Sequence, residues 1–127
     1  MGGGERYILY ADENPQNRRS VEALLDKATL GGARLLVSDS GCDARQLLIE
    51  YRDEIIAAGV NNYMDPVYFG SDASKAIRSD GSEIPVAIIN AGDENETGDF
   101  KTFQVPGEEE ALVAWFSEKI NTTLAEA

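Results

Sequence analysis

The segment DENPQN, residues 12–17, lies where a candidate strand runs directly into a candidate helix. Junctions of this kind carry the reactive groups of many α/β enzymes, but none of these side chains is a nucleophile of the usual kind. Asp12 and Glu13 could bind a divalent cation, although a third carboxylate would have to approach from elsewhere in the chain. The alternative is that both acids complement the dipole of the helix that follows.

Cysteine and histidine usage limits the chemistry further. The chain has one cysteine, Cys42, and no histidine. These counts exclude an internal disulfide, a Cys-x-x-Cys pair, Ser-His or Cys-His catalysis and ordinary zinc sites. Cys42 lies near the start of a candidate helix, where the pKa of a thiol can be lowered; the alternative is a small side chain without a special role. The sequence therefore favours a protein that is not an enzyme and has no cofactor.

A second polar segment, DENETGDFKTFQ at 93–104, partly fits a calcium-binding loop. Its side chains match the first, third, fifth and seventh ligand positions, and Gly98 takes the sixth. Gln104 stands where the loop requires a bidentate glutamate, and the flanking residues are predicted strands rather than helices. A solvated loop explains the segment better, so no metal is predicted. The weak candidate ligands are Asp93, Asn95, Thr97 and Asp99.

The net charge is −12, from 23 acidic and 11 basic residues. Proteins that bind the phosphate backbone of nucleic acids need clustered Lys and Arg, and no such cluster is present. No apolar run approaches the ~20 residues of a membrane span, and MGGGER lacks the apolar core of a signal peptide. We therefore expect a cytoplasmic protein with neither nucleic acid nor membrane as partner. The acidic surface serves either solubility or docking on a basic protein surface.

The apolar pattern predicts a single domain over residues 1–127, with 1–5 as a flexible N-terminal arm. The predicted order is β-α-β-α-(irregular)-β-β-α. Strands at 6–11 and 33–38 precede helices capped by Asn14, with Pro15 in the first turn, and by Ser40. The second helix is predicted to carry Ile55 on its apolar face and to end at Gly59.

The C-terminal half is predicted as a strand pair followed by a helix. PVYF at 66–69 is a candidate short strand within the poorly patterned stretch 60–83. IPVAIIN (84–90) and FKTFQV (100–105) surround a polar loop, which favours an antiparallel hairpin. EEEALVAWFSEKINTTL (108–124) is then the closing helix.

This order resembles the thioredoxin and glutaredoxin superfamily. The last β-β-α unit carries most of the likeness, and the NPQN of residues 14–17 occupies the place of that family's Cys-Pro-x-Cys motif. The resemblance implies a three-layer α/β/α sandwich with a mixed sheet and a C-terminal hairpin and helix. It also implies that the redox step is absent, because Asn14 and Asn17 stand where the two cysteines would stand.

The resemblance also implies a partner-binding surface. In the family, the junction loop and a cis-proline loop together hold extended partner chains, and the cis-proline would here be Pro85. The predicted surface is Asn14, Pro15, Gln16, Asn17, Ile84 and Pro85.

A second resemblance is to receiver domains of response regulators. ILYADENPQNRRSVEALL looks like a receiver's opening, with Asp12 and Glu13 as the metal-binding acidic pair. SDSGCDARQLL and IPVAIINA are similar to later receiver segments. A receiver also needs a phosphoacceptor Asp at the end of its third strand, which PVYF does not provide, and a Lys where Val105 precedes Pro106. The polar stretch before FKTF is too short for the helix that a receiver requires.

The sequence thus predicts a non-catalytic thioredoxin-like protein that acts as a protein-binding or structural module. Its partner would be a protein, with a basic surface as one option, or the subunits of a larger assembly such as a virus particle. Two alternatives stay open. One is a degenerate receiver-like signalling module, and the other is an atypical enzyme that uses Cys42 or the acidic loops.

Overall fold

In the computed structural model, residues 6–27, 33–61, 84–90 and 101–125 are described. The strands are β1 (Arg6–Ala11), β2 (Ala33–Ser38), β3 (Ile55–Asn61), β4 (Val86–Ile89) and β5 (Lys101–Phe103). The helices are α1 (Pro15–Lys27), α2 (Gly41–Glu50) and α3 (Glu109–Ala125). None of these helices combines the length and apolarity that a membrane span requires.

The five strands form one parallel sheet in the order β2-β1-β3-β4-β5. This is a doubly wound arrangement, in which the strand order reverses next to β1. One face of the sheet packs on α1 and α3 through Val21 and Phe116, and the other packs on α2 through Leu48. The two faces explain why β1 and β3 are buried almost throughout, since each lies between helical layers.

The central strand β3 contains small residues because a helix packs closely on it. A Cβ atom at Gly59 would lie 3.3 Å from Cζ of Phe116 and 3.7 Å from Leu112. The prediction of a helix through Ile55 that ends at Gly59 is therefore wrong: α2 ends at Glu50, and both residues belong to β3. The proposed third strand, PVYF, lies outside the described residues.

The predicted thioredoxin-like mixed sheet is also wrong. β4 and β5 pair in parallel, with Ile88 opposite Thr102, so they do not form the antiparallel hairpin that the C-terminal unit of that fold requires. The cis-proline that the thioredoxin resemblance implies at Pro85 is not found either. Among the described residues the cis bond is Val105–Pro106 and not Ile84–Pro85.

Both predicted helix starts are confirmed. The Asn14 side-chain oxygen Oδ1 accepts hydrogen bonds from the backbone N–H groups of Gln16, at 2.8 Å, and Asn17, at 3.2 Å. Ser40 caps α2 by accepting from the Asp43 N–H at 3.1 Å. Pro15 is the first residue of α1, where its missing N–H leaves no hydrogen bond unmade.

Candidate functional site at the carboxyl edge of the sheet

The polar residues of the interior gather where the strands end. Asp12 follows β1, Asn61 is the last residue of β3, and Asn90 follows β4. All three lie at the carboxyl edge, since the strands are parallel. In open α/β sheets, ligands bind outside this edge, next to the point where the strand order reverses. The carboxyl edge beside β1 and β3 is therefore the candidate site.

Asp12 is the centre of this edge, and its side chain is only 1% exposed. Its Oδ1 atom accepts the backbone N–H of Asn14 at 2.9 Å. Its Oδ2 atom accepts the Tyr10 hydroxyl at 2.8 Å and the Asn17 side-chain amide at 3.1 Å. A buried carboxylate needs such donors to offset the loss of water, and here the chain itself supplies three.

Tyr10 is fully buried beneath this carboxylate. Burial, and then the negative charge of Asp12 and the hydrogen bond to it, raise the pKa of the Tyr10 phenol far above its ordinary value. The nearby Glu109 carboxylate adds to this effect, and Arg18 opposes it. Tyr10 consequently stays protonated and keeps donating to Asp12 throughout the physiological pH range.

Two asparagine side chains join the edge to the turn that follows β5. The Asn90 amide donates through Nδ2 to the carbonyl oxygen of Val105 at 2.8 Å, and its Oδ1 atom accepts the Val105 N–H at 2.9 Å. Asn17 Nδ2 contacts the same carbonyl oxygen at 3.3 Å. Val105 is thereby tied to both the end of β4 and the start of α1.

Arg18 stabilises the loop between β1 and α1 without pairing with a carboxylate there. Its guanidinium donates to the carbonyl oxygens of Asp12, at 2.8 Å, and Glu13, at 3.0 Å. The turn before α3 is held by side chains in a similar way: Glu108 accepts the N–H of Gln104, and Glu109 accepts the N–H of Gly107. The β1–α1 loop and the turn before α3 are thus both fixed by local hydrogen bonds.

Asn61 occupies the end of the central strand and is 6% exposed. Ala11 pairs with Val60, so Asp12 and Asn61 are the next residues along two neighbouring strands. Asn61 is absent from the predicted site because the predicted third strand was PVYF at 66–69. A polar residue directly after the continuous apolar run IIAAGV would have been the signal.

The described part of the chain does not contain a group of three or more Cys, Asp or Glu residues that could hold a metal ion. Both oxygens of Asp12 already accept hydrogen bonds from the chain, one at Oδ1 and two at Oδ2. The weak calcium candidates Asp93, Asn95, Thr97 and Asp99 lie outside the described residues, as does the Cys42 side chain.

The structure separates the residues of the predicted partner-binding surface. Asn14, Pro15 and Gln16 are exposed at the carboxyl edge, whereas Asn17 is 7% exposed and takes part in the hydrogen bonds around Asp12. Ile84 and Pro85 precede β4 and so lie towards the opposite, amino edge of the sheet. Ile84 is 8% exposed and belongs to the apolar core beneath α2. The thioredoxin-like layout predicted that Asn14–Asn17 and Ile84–Pro85 would lie side by side. In the parallel sheet they lie at opposite edges, because the first group follows a strand and the second precedes one.

Several solved structures that this chain resembles are receiver domains of response regulators. One from Clostridium thermocellum matches with a TM-score of 0.75 at 19% identity, over 96% of this chain and 99% of that chain. A two-component transcriptional regulator, AraC, from Clostridium phytofermentans matches with a TM-score of 0.77 at 15% identity, over 96% and 97%. A chain of the Saccharomyces cerevisiae complex between the phosphotransfer protein Ypd1 and the receiver domain of Ssk1 matches with a TM-score of 0.68 at 12% identity, over 94% and 91%.

No protein-family model and no curated protein matches the sequence. The likeness to solved structures therefore rests on the fold, which is that of receiver domains. It overturns the thioredoxin-like interpretation and the redox-inactive thioredoxin function that depended on it. The alternative interpretation from the sequence, a receiver-like module, agrees with this fold.

Proposed function

We propose that this chain is a receiver-like protein-interaction module that works without accepting a phosphoryl group. The receiver fold supports the first part of the proposal. The side chains at the carboxyl edge support the second. The proposal describes a binding module and not an enzyme, and its cytoplasmic location stays a prediction from the sequence.

Asn61 is the observation on which the proposal depends. A receiver needs a phosphoacceptor Asp at the end of its third strand, and β3 ends with Asn61. An amide oxygen lacks the negative charge that makes a carboxylate a nucleophile. Val105 stands before Pro106, where a receiver has a lysine, so the cation that would accompany a phosphoryl group is missing from that position.

The state of Asp12 supports the same conclusion. Asp12 is one of the two acids that would bind the metal ion in a receiver, together with Glu13. Asp12 instead accepts three hydrogen bonds from Tyr10, Asn14 and Asn17. These neutral donors replace the hydrogen bonds to water that the buried carboxylate has lost.

The proposed partner is a protein, and the proposed contact is the exposed part of the edge formed by Asn14, Pro15 and Gln16. One similar solved structure is a complex between a receiver domain and the phosphotransfer protein Ypd1, which supports a protein as partner. A net charge of −12 favours a partner with a basic surface.

Phosphorylation with radiolabelled acetyl phosphate and Mg²⁺ tests the chemical half of the proposal. We expect no label on the wild-type protein and slow labelling of the Asn61→Asp variant, because that change restores a carboxylate at the end of β3. Acid-labile label on the wild-type protein would contradict the proposal.

A matched pair of variants tests the binding half. Gln16→Arg changes an exposed side chain of α1 at the carboxyl edge, and Gln46→Arg makes the same change on α2. Chemical crosslinking in extract of the source organism should yield a partner band that Gln16→Arg weakens and Gln46→Arg leaves intact. Equal bands for both variants would place the contact elsewhere.

A further inference from the structure

The side chain of Asn90 makes a pair of hydrogen bonds with the turn after β5 of the kind that the backbone of a neighbouring strand would make. It donates to the carbonyl of Val105 and accepts from the N–H of the same residue, at 2.8 and 2.9 Å. Its own backbone N–H donates to the carbonyl of Phe103 at 2.8 Å. Three hydrogen bonds therefore join one residue at the end of β4 to the segment that leads into α3.

The backbone of Asn90 makes this arrangement possible. Its φ angle is 56°, in the left-handed region that asparagine enters more readily than other residues with a Cβ atom. This conformation ends β4 and directs the side chain towards Val105. A residue with a longer or branched side chain would be strained at this angle and could not make both hydrogen bonds.

The connection continues into the interior. The carbonyl oxygen of Val105 also accepts from Asn17, which donates to Asp12, which in turn accepts from Tyr10. Val105 is 1% exposed, and Asp12 and Tyr10 are buried as well. In the described part of the chain every buried side-chain N or O atom has a hydrogen-bond partner.

We propose that this series of hydrogen bonds, Asn90–Val105–Asn17–Asp12–Tyr10, is a clamp that keeps the carboxyl edge and the turn before α3 in a single conformation. Movement of the turn would leave the buried N–H and C=O of Val105 without partners, which is costly in a low-dielectric interior. A partner would therefore meet a preformed surface instead of inducing it. The inference concerns conformation only and stands whether or not the edge accepts a phosphoryl group.

Amide hydrogen exchange of the Asn90→Gly variant tests the clamp. Glycine keeps the left-handed backbone conformation and removes only the side chain. The Val105 N–H donates directly to Asn90, so its exchange should become about 10- to 100-fold faster. The amides of Ile8 and Leu9 in β1 should change much less. An unchanged rate at Val105, or an equal increase at β1 that signals global destabilisation, would overturn the clamp.

Nuclear magnetic resonance relaxation dispersion on the wild-type protein provides a second measurement. We expect no microsecond-to-millisecond exchange at residues 101–110 in the wild type and clear exchange there in Asn90→Gly. Exchange in the wild-type turn would overturn the single-conformation inference even if the phosphorylation experiment supports the proposed function. Phosphorylation of a wild-type protein whose turn shows no such exchange would instead contradict the proposed function and leave the clamp intact.

Discussion

The substitution Asp12→Asn distinguishes between two states of this carboxylate. In one it is stabilised by hydrogen bonds from the chain, and in the other it requires a metal ion. It keeps the size of the side chain and removes its charge. In the wild type, Oδ1 accepts from the Asn14 N–H, and Oδ2 accepts from Tyr10 and Asn17. Every contact of the carboxylate is thus with a donor, and the new amide group must present a donor to at least one of them.

The cost follows from the two ways in which the new amide can be placed. With its nitrogen at the Oδ1 position it opposes the Asn14 N–H, which cannot turn away. With its nitrogen at the Oδ2 position it opposes the Asn17 amide, while the Tyr10 hydroxyl can rotate to accept. Either choice leaves one buried donor unpaired, at about 1–3 kcal/mol. The remaining hydrogen bonds also lose their charge, so the total loss of stability is about 2–4 kcal/mol.

Urea unfolding monitored by circular dichroism measures this difference. Asp39→Asn is the matched control, since Asp39 is exposed just after β2, and its change should lie within about 0.5 kcal/mol. Removing the charge of an uncompensated acidic metal site would relieve repulsion and raise stability. An Asp12→Asn variant as stable as the wild type or more stable would therefore refute the reasoning. So would stabilisation of the wild type by millimolar Mg²⁺.

Three further changes probe the same region. Tyr10→Phe should cost about 1–3 kcal/mol at neutral pH, because a buried carboxylate loses a donor. The fold raises the Tyr10 pKa above the ordinary 10.0, so it binds this proton more tightly than the unfolded chain does. The resulting stability is complete below about pH 10 and declines above it, and urea unfolding from pH 9 to 11 should show a weaker decline in the variant. Gly59→Ala should cost about 1–3 kcal/mol through its contact with Phe116, measured by thermal unfolding. Asn14→Ala should cost about 1 kcal/mol through loss of the α1 cap, measured in the same way, with wild-type stability as the result that would contradict it.

The helix starts were predictable because their signals are local. Asn14 before Pro15 is a cap and first-turn pair that needs no tertiary information. Ser40 likewise accepts from the N–H of Asp43, three residues later. Such signals depend on hydrogen bonds between residues two or three positions apart in the chain, and the fold does not alter them.

The central strand was not predictable in this way. β3 reads IIAAGVN, and two alanines and a glycine have low strand propensity. Gly59 is small because α3 packs closely on the strand there, a requirement that arises only once the layers are assembled. The same limitation hid Asn61, since its role depends on recognising that β3 ends there. The direction of β5 relative to β4 was missed because proximity in the sequence suggested a hairpin.

Most of the polar side chains at the carboxyl edge are amides and not carboxylates, and this affects how the edge is stabilised. The chain has an excess of 12 negative charges, yet the side chains at this edge are largely neutral amides. In the part of the chain that the structure describes, Asp12 is the one buried carboxylate, and the amides at the edge are those of Asn14, Asn17, Asn61 and Asn90. Clustered carboxylates repel one another and need a cation to lie close together. An amide carries both a donor and an acceptor, so a group of amides can satisfy itself and the one remaining acid. We therefore expect this edge to keep its conformation without a metal ion.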